Sequence, residues 1–172
     1  MGPATQEERI GREFLLWLWY ESERNSGLFR LTSGKSVEVW LGERLVLESV
    51  EGRTASDLTW RGDASVHDDV RLALGSGRQM RRAEFVLNMD GHEWRFVLEA
   101  ESLDLRSLRI PRPEREGDDD PVSLGLERLY LIETAVRTVE ELFKVFTGRR
   151  NASDWAAKED AGIRKWLGRA RA

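Results

Sequence analysis

The sequence predicts an α+β fold, an antiparallel meander/hairpin sheet packed against an N-terminal aromatic-rich helix and long C-terminal helices. Three observations predict it. The stretch "REFLLWLWYESE" sets seven apolar or aromatic residues, Phe14 to Tyr20, between charged borders. The middle of the chain alternates polar and apolar residues in short segments broken by glycine-containing turns. Toward the end, apolar residues recur every three and four positions from Leu126 to Phe146. The expected organisation is a body over residues 1–150 and a basic amphipathic helix over 151–172.

Each element has its own signal. Thr5 and Glu8 form a capping-box pattern that starts a helix near Gln6, and "NSGL" stops it after Arg24. "LFRL", "SVEVWL" and "RLVLES" read as three strands of a meander separated by "TSGK" and "GE", with "GRTASDLTW" a further extended piece. Asp63 reads as the cap of a short helix through "ASVHDDVRLAL", with Val66, Val70 and Leu74 on one side and Gly75 and Gly77 at its end. "RRAEFVLNM" and "HEWRFVLEA" flank Asp90-Gly91, a dipeptide suited to the positive φ angles of a type I′ turn, and "LDLRSLRI" extends that hairpin. "PRPEREGDDDP" reads as a solvated connector; its three consecutive aspartates lack the spacing of a calcium loop. The long helix that follows is assigned one amphipathic stripe: Leu126, Leu129, Tyr130, Ile132, Val136, Val139, Leu142, Phe143 and Phe146. A last helix starts at an Asn151 or Ser153 cap and carries Trp155, Ile163, Trp166 and Leu167.

Composition narrows the function. At 172 residues the chain is long enough for one substantial core, and its 34% charged and 40% hydrophobic content is that of a globular protein. No cysteine is present, which excludes disulfides, thiolate zinc sites and thiol nucleophiles. The N-terminus lacks the basic region of a signal peptide and no apolar run spans a bilayer, so a cytoplasmic location and no membrane partner are expected. His67 and His92 are the only histidines, "GSG" at 75–77 ends a helix where a phosphate loop opens one, and no nuclease carboxylate pattern occurs. The expectation is a protein without enzymatic activity, cofactor or metal.

Charge is unevenly spread. From Arg149 onward, seven basic residues stand against three acidic ones, a local +4 that leaves −8 on the rest of a chain with formal charge −4. Arg149, Arg150, Arg164, Lys165 and Arg169 are therefore one candidate phosphate-binding surface, with a solvated helix as the other reading. Arg78, Arg81 and Arg82 in "SGRQMRR" are a second; adjacent strand residues point to opposite faces, so at most two of the three share one.

In order along the chain, "GREFLLWLWYESE", "VEVWLGERLVLES", "ALGSGRQMRRAEFVLNMDGHEWRFVLEAESLDLRSLRIP" and the closing Ile/Leu/Tyr-rich helix resemble the C-terminal half of the RdgC family, the recombination-associated proteins of bacteria. The resemblance runs over most of residues 10–148. It implies sequence-nonspecific binding of double-stranded DNA, dimer formation and an influence on recombinase access, in a nucleoid-associated protein. The alternative is a protein-interaction or assembly subunit that keeps the fold without binding DNA.

The opening helix bears on the partner. Seven consecutive apolar residues cover every direction of a helix with 3.6 residues per turn. Such a helix is either a central pillar between sheet and long helix, or an interface through Trp17, Trp19 and Tyr20 to a homodimer mate or a partner protein replacing the family's N-terminal half.

Overall fold

The computed structural model describes residues 6–49, 58–61, 67–113 and 120–168. The expected caps Thr5 and Asp63, the acids 118–119 and Arg169 lie outside them. Helix α1 runs Gln6–Arg24, followed by β1 (Leu28–Arg30), β2 (Ser36–Ser49), β3 (Leu58–Arg61) and α2 (His67–Gly75). Then come β4 (Arg78–Met89), β5 (His92–Glu99), β6 (Leu105–Arg109), α3 (Pro121–Arg150) and α4 (Ala161–Gly168), the last entered through a π-helical turn at Ala156–Asp160. The α+β expectation holds: one antiparallel sheet in the order β1-β2-β4-β5-β6, with β3 also paired to β2.

Two sheet details depart from expectation. "GE" does not separate strands, because β2 is continuous from Ser36 to Ser49 and takes up the Gly42–Arg44 stretch as an irregularity in its pairing with β4. Glycine is needed there: a Cβ on Gly42 would lie 2.7 Å from Cγ of Glu84 on the neighbouring strand. The long β2 gives one edge to β4, leaving the other to β1 at its start and β3 near its end. The β4–β5 hairpin is as predicted, with φ of 52° at Asp90 and 78° at Gly91. Beyond it β6 pairs with β5 but is interrupted at Ser107, whose φ is 52°.

Alternation along the strands buries one sheet face. Val37, Val39, Leu45 and Leu47 of β2, Met80, Ala83, Phe85 and Leu87 of β4, and Trp94, Phe96 and Leu98 of β5 are all buried. Helix α1 and α3 from Leu131 onward cover them. Phe14 and Trp17 meet Phe146 with ring centroids 5.4 and 5.5 Å apart, and the Trp94 indole N–H donates to the Leu131 carbonyl at 3.0 Å. At its far flank α3 holds the β1–β2 turn: Glu141 accepts from the Ser33 N–H at 2.8 Å and the Thr32 hydroxyl at 2.9 Å. That backbone bond keeps the Glu141 carboxyl below its usual range.

The opening helix is a pillar. Trp17, Trp19 and Tyr20 are buried by their own chain, Trp19 edge-on to Trp166 at 4.8 Å and Tyr20 edge-on to the same ring at 5.6 Å. The expectation that these three form an interface to another chain is thereby corrected: their apolar surface is already spent on α3, α4 and Phe29. Ile163 and Trp166 of α4 belong to the same core as α1 and the sheet. Arg71 of α2 stacks over Trp166 at 5.3 Å, and the Trp166 indole donates to Glu23 at 2.9 Å, tying α2 and α4 to α1. Asn151 closes α3 as its C-terminal cap, its N–H donating to the Thr147 carbonyl, so the expected start of the last helix there is also corrected.

Helix α3 itself carries the largest surprise. The expected single stripe splits in two. Leu131, Ala135, Val139, Leu142 and Phe146 face the core, whereas Val122, Leu126, Leu129, Tyr130, Ile132 and Val136 are exposed. Both sets satisfy spacings of three and four, so periodicity alone merges them. Asp120 caps the helix by accepting from the Val122 N–H, with Pro121 at its first position.

Candidate nucleic-acid interface

The sheet face opposite the helices is open, and arginine dominates it. Residues that alternate with the core set on β2, β4, β5 and β6 point outward: Trp40, Arg44, Arg82, Glu84, Val86, Arg95, Val97, Glu99, Arg106 and Arg109. Two carboxylates organise the charge. Glu84, only 3% exposed, accepts from Nε of Arg44 at 2.8 Å and lies 3.7 Å from Arg95. Glu99, also buried, lies 2.5 Å from Arg82 and 3.1 Å from Arg106. The Glu99 cluster, one carboxylate between two guanidiniums, carries a surplus positive charge, whereas in the Glu84 cluster Arg95 also lies 3.5 Å from Glu93, which balances it. A guanidinium has five N–H donors and the glutamates occupy only part of them, so the remainder face solvent. Arg109, exposed at the sheet's last strand, pairs in register with Arg95, and exposed Arg61 of β3 pairs with Arg44.

Of the seven described arginines and lysines among those expected to meet phosphate, the sheet face takes one. Arg82 sits in it. Arg81 is half-buried where β4 slips register against β2, and Arg78 lines a hollow with Arg9, Arg12 and Glu13 at the start of β4, so the "RQMRR" cluster does not converge. The C-terminal set is largely neutralised at close range. Arg149 binds Glu159 at 2.9 Å, Arg150 holds Glu13 with two donors, and Arg164 binds Asp160 at 2.7 Å, leaving Lys165 exposed without a shared face. Arg44, Arg95, Arg106 and Arg109 were missed because their common direction depends on strand register; the available signal was Arg95 between the apolar Trp94 and Phe96.

His92 lines a cleft of about 490 Å³ between α3 and the hairpin, together with Lys35, Asp90, Arg112, Glu127, Arg137 and Glu141, whose opposite charges balance. Among the described residues no group of three or more His, Asp or Glu is placed to hold a metal ion. No helix among them is long and apolar enough to cross a membrane.

Glu21, inside the pillar, is a carboxyl pushed up from its ordinary value. Burial raises it, the Arg24 guanidinium at 3.1 Å opposes that, and nearby Glu159 adds to the rise. A raised carboxyl means that the fold prefers the protonated form; that contribution is complete below the ordinary value of 4.5 and disappears as pH climbs through the folded value. Glu21→Gln keeps an acceptor for Asn25, which donates to Glu21 at 2.5 Å, and removes the buried charge. Urea denaturation is expected to find this variant more stable than the native chain at pH 7, the advantage shrinking as pH falls toward 4.5. An advantage constant with pH would assign the effect to packing.

Comparison with protein-family models, curated proteins and solved structures finds no match to this chain.

Proposed function

We propose that this protein binds duplex DNA without sequence specificity and without enzymatic activity, gripping backbone phosphates with the arginine face of its sheet. The observation that carries the reading is the pair of clusters Arg44–Glu84–Arg95 and Arg82–Glu99–Arg106, which hold four guanidiniums on one open surface with their planes set by buried carboxylates. Pre-set guanidiniums lose less side-chain entropy on meeting phosphate than free ones. The resemblance to RdgC proteins supports the same class of partner, and with it a role beside recombination on the bacterial nucleoid. A formal charge of −4 does not oppose it, because screening over about 8 Å at physiological salt makes local charge decisive.

The test is retention of random-sequence duplex across a salt series. Nonspecific affinity is expected at about 10⁻⁴ to 10⁻⁶ M at physiological salt, falling steeply as salt rises. Arg106→Gln combined with Arg109→Gln is expected to weaken binding to all sequences alike and to flatten the salt slope by about two, one per lost contact. Arg149→Gln combined with Arg164→Gln, which touches only internally neutralised charge, should leave retention unchanged. Absence of retention at low salt, or equal retention by all variants, would refute the reading. A second reading, an assembly subunit, draws support from the exposed apolar side chains of α3.

A further inference from the structure

From the first half of α3 we infer that the chain self-associates, pairing α3 with α3 of a second copy in antiparallel orientation about Leu129. This does not rest on DNA binding and uses a different surface. Leu126, Leu129 and Tyr130 are 63%, 61% and 64% exposed, and Val122, Ile132 and Val136 join them. On a helix of 3.6 residues per turn, Val122, Leu126, Leu129 and Val136 fall on one line, with Tyr130 on one flank and Ile132 on the other. That line lies opposite Leu131, Ala135 and Leu142, which face the core. A second helix laid along it therefore puts the two bodies on opposite sides, clear of each other.

The stripe is complementary to itself. A two-fold axis at Leu129 sets Leu129 against Leu129 of the second copy, Leu126 against its Ile132, and Val122 against its Val136, three apolar pairings; Glu133, which accepts from Arg137 of its own helix at 2.6 Å, lies among them and falls opposite Gly125 of the second copy. The same register carries the exposed Arg137 to the first turn of the opposite helix, beside the capping carboxylate of Asp120. A helix from an unrelated partner need satisfy none of these pairings; a second copy satisfies them by symmetry. An interface of standard size buries about 800 Å² per partner, and six large side chains at this exposure supply much of that area, which suits a dimer of modest affinity.

The chain contains no cysteine, which makes the register directly testable. Leu129→Cys places two thiols at the axis and is expected to give a disulfide-linked dimer on mild oxidation, whereas Gly148→Cys, at the other end of α3, gives none. Light scattering of the native protein should rise from 19.8 kDa toward twice that mass as concentration increases. Leu126→Glu combined with Leu129→Glu should hold the monomer mass with unchanged circular dichroism, since both side chains are in solvent in the single chain, and its melting temperature should not depend on concentration. A native chain that stays monomeric, as it would if the stripe served a different protein, overturns the inference. So does a dimer that survives the double substitution or fails to cross-link at position 129.

Discussion

Gly11→Ala is expected to cost about 3 kcal/mol or more and Gly148→Ala to add about 0.5–1 kcal/mol, the same substitution in two helices with opposite signs. A Cβ on Gly11 would stand 1.7 Å from the carbonyl oxygen of Ala100 and 2.7 Å from its carbonyl carbon. Neither side can yield cheaply. Ala100 is buried and its N–H is bound to the Arg81 carbonyl at 2.9 Å, while Phe14, Leu15 and Leu18 hold α1 in the core. The helix-propensity gain of about 1 kcal/mol from replacing glycine is therefore overwhelmed at position 11. At Gly148, exposed in α3 with nothing within 4 Å of the added carbon, that gain is unopposed. Urea midpoints of the two variants measure the difference directly; equal shifts would mean that α1 does not lie against the turn after β5.

Trp19→Ala is the second large effect. The side chain is 0% exposed, packs edge-on against Trp166 at 83° and donates its indole N–H to Glu23 at 2.8 Å. Removing it opens a cavity between α1 and α4, and truncation of a buried tryptophan costs about 3–5 kcal/mol. Trp166→Ala should cost less, and the double variant should show a coupling of about 0.5–1.5 kcal/mol beyond the area lost, as aromatic pairs do. Because Trp19 is covered by its own chain, the folded fraction of Trp19→Ala should keep the native mass in light scattering. A folded variant of altered mass would return this residue to an interface.

How much of this was legible varies with the range of the interaction that decides it. The limits of α1 and the Asp90-Gly91 turn are set by neighbours in sequence, and pattern finds them; α3 is found as a helix, but it runs from Pro121 to Arg150, past the Leu126–Phe146 periodicity at both ends. The continuity of β2 through Gly42 was not legible, because Gly-Glu is also a turn signal; what keeps the strand going is its pairing with β4 and the bulk of Glu84 beneath the glycine. The arginine face depends on four strands in register, so only Arg82 was singled out among its members. Neutralisation of the C-terminal charges was partly visible, since Asp160 and Arg164 lie four apart on a helix. The bonds from Arg150 to Glu13 and from Arg24 to Glu159 join the two ends of the chain and have no local signature.

The interruption of β6 has a bearing on how copies of this protein behave when crowded. An intact outer strand offers an uninterrupted row of amides and carbonyls, the template on which fibrils grow. Here that strand is five residues long, bent at Ser107, rich in arginine, and followed by Pro111 and Pro113, which have no amide hydrogen to lend. Strand-by-strand polymerisation from this margin is disfavoured by geometry and by repulsion alike.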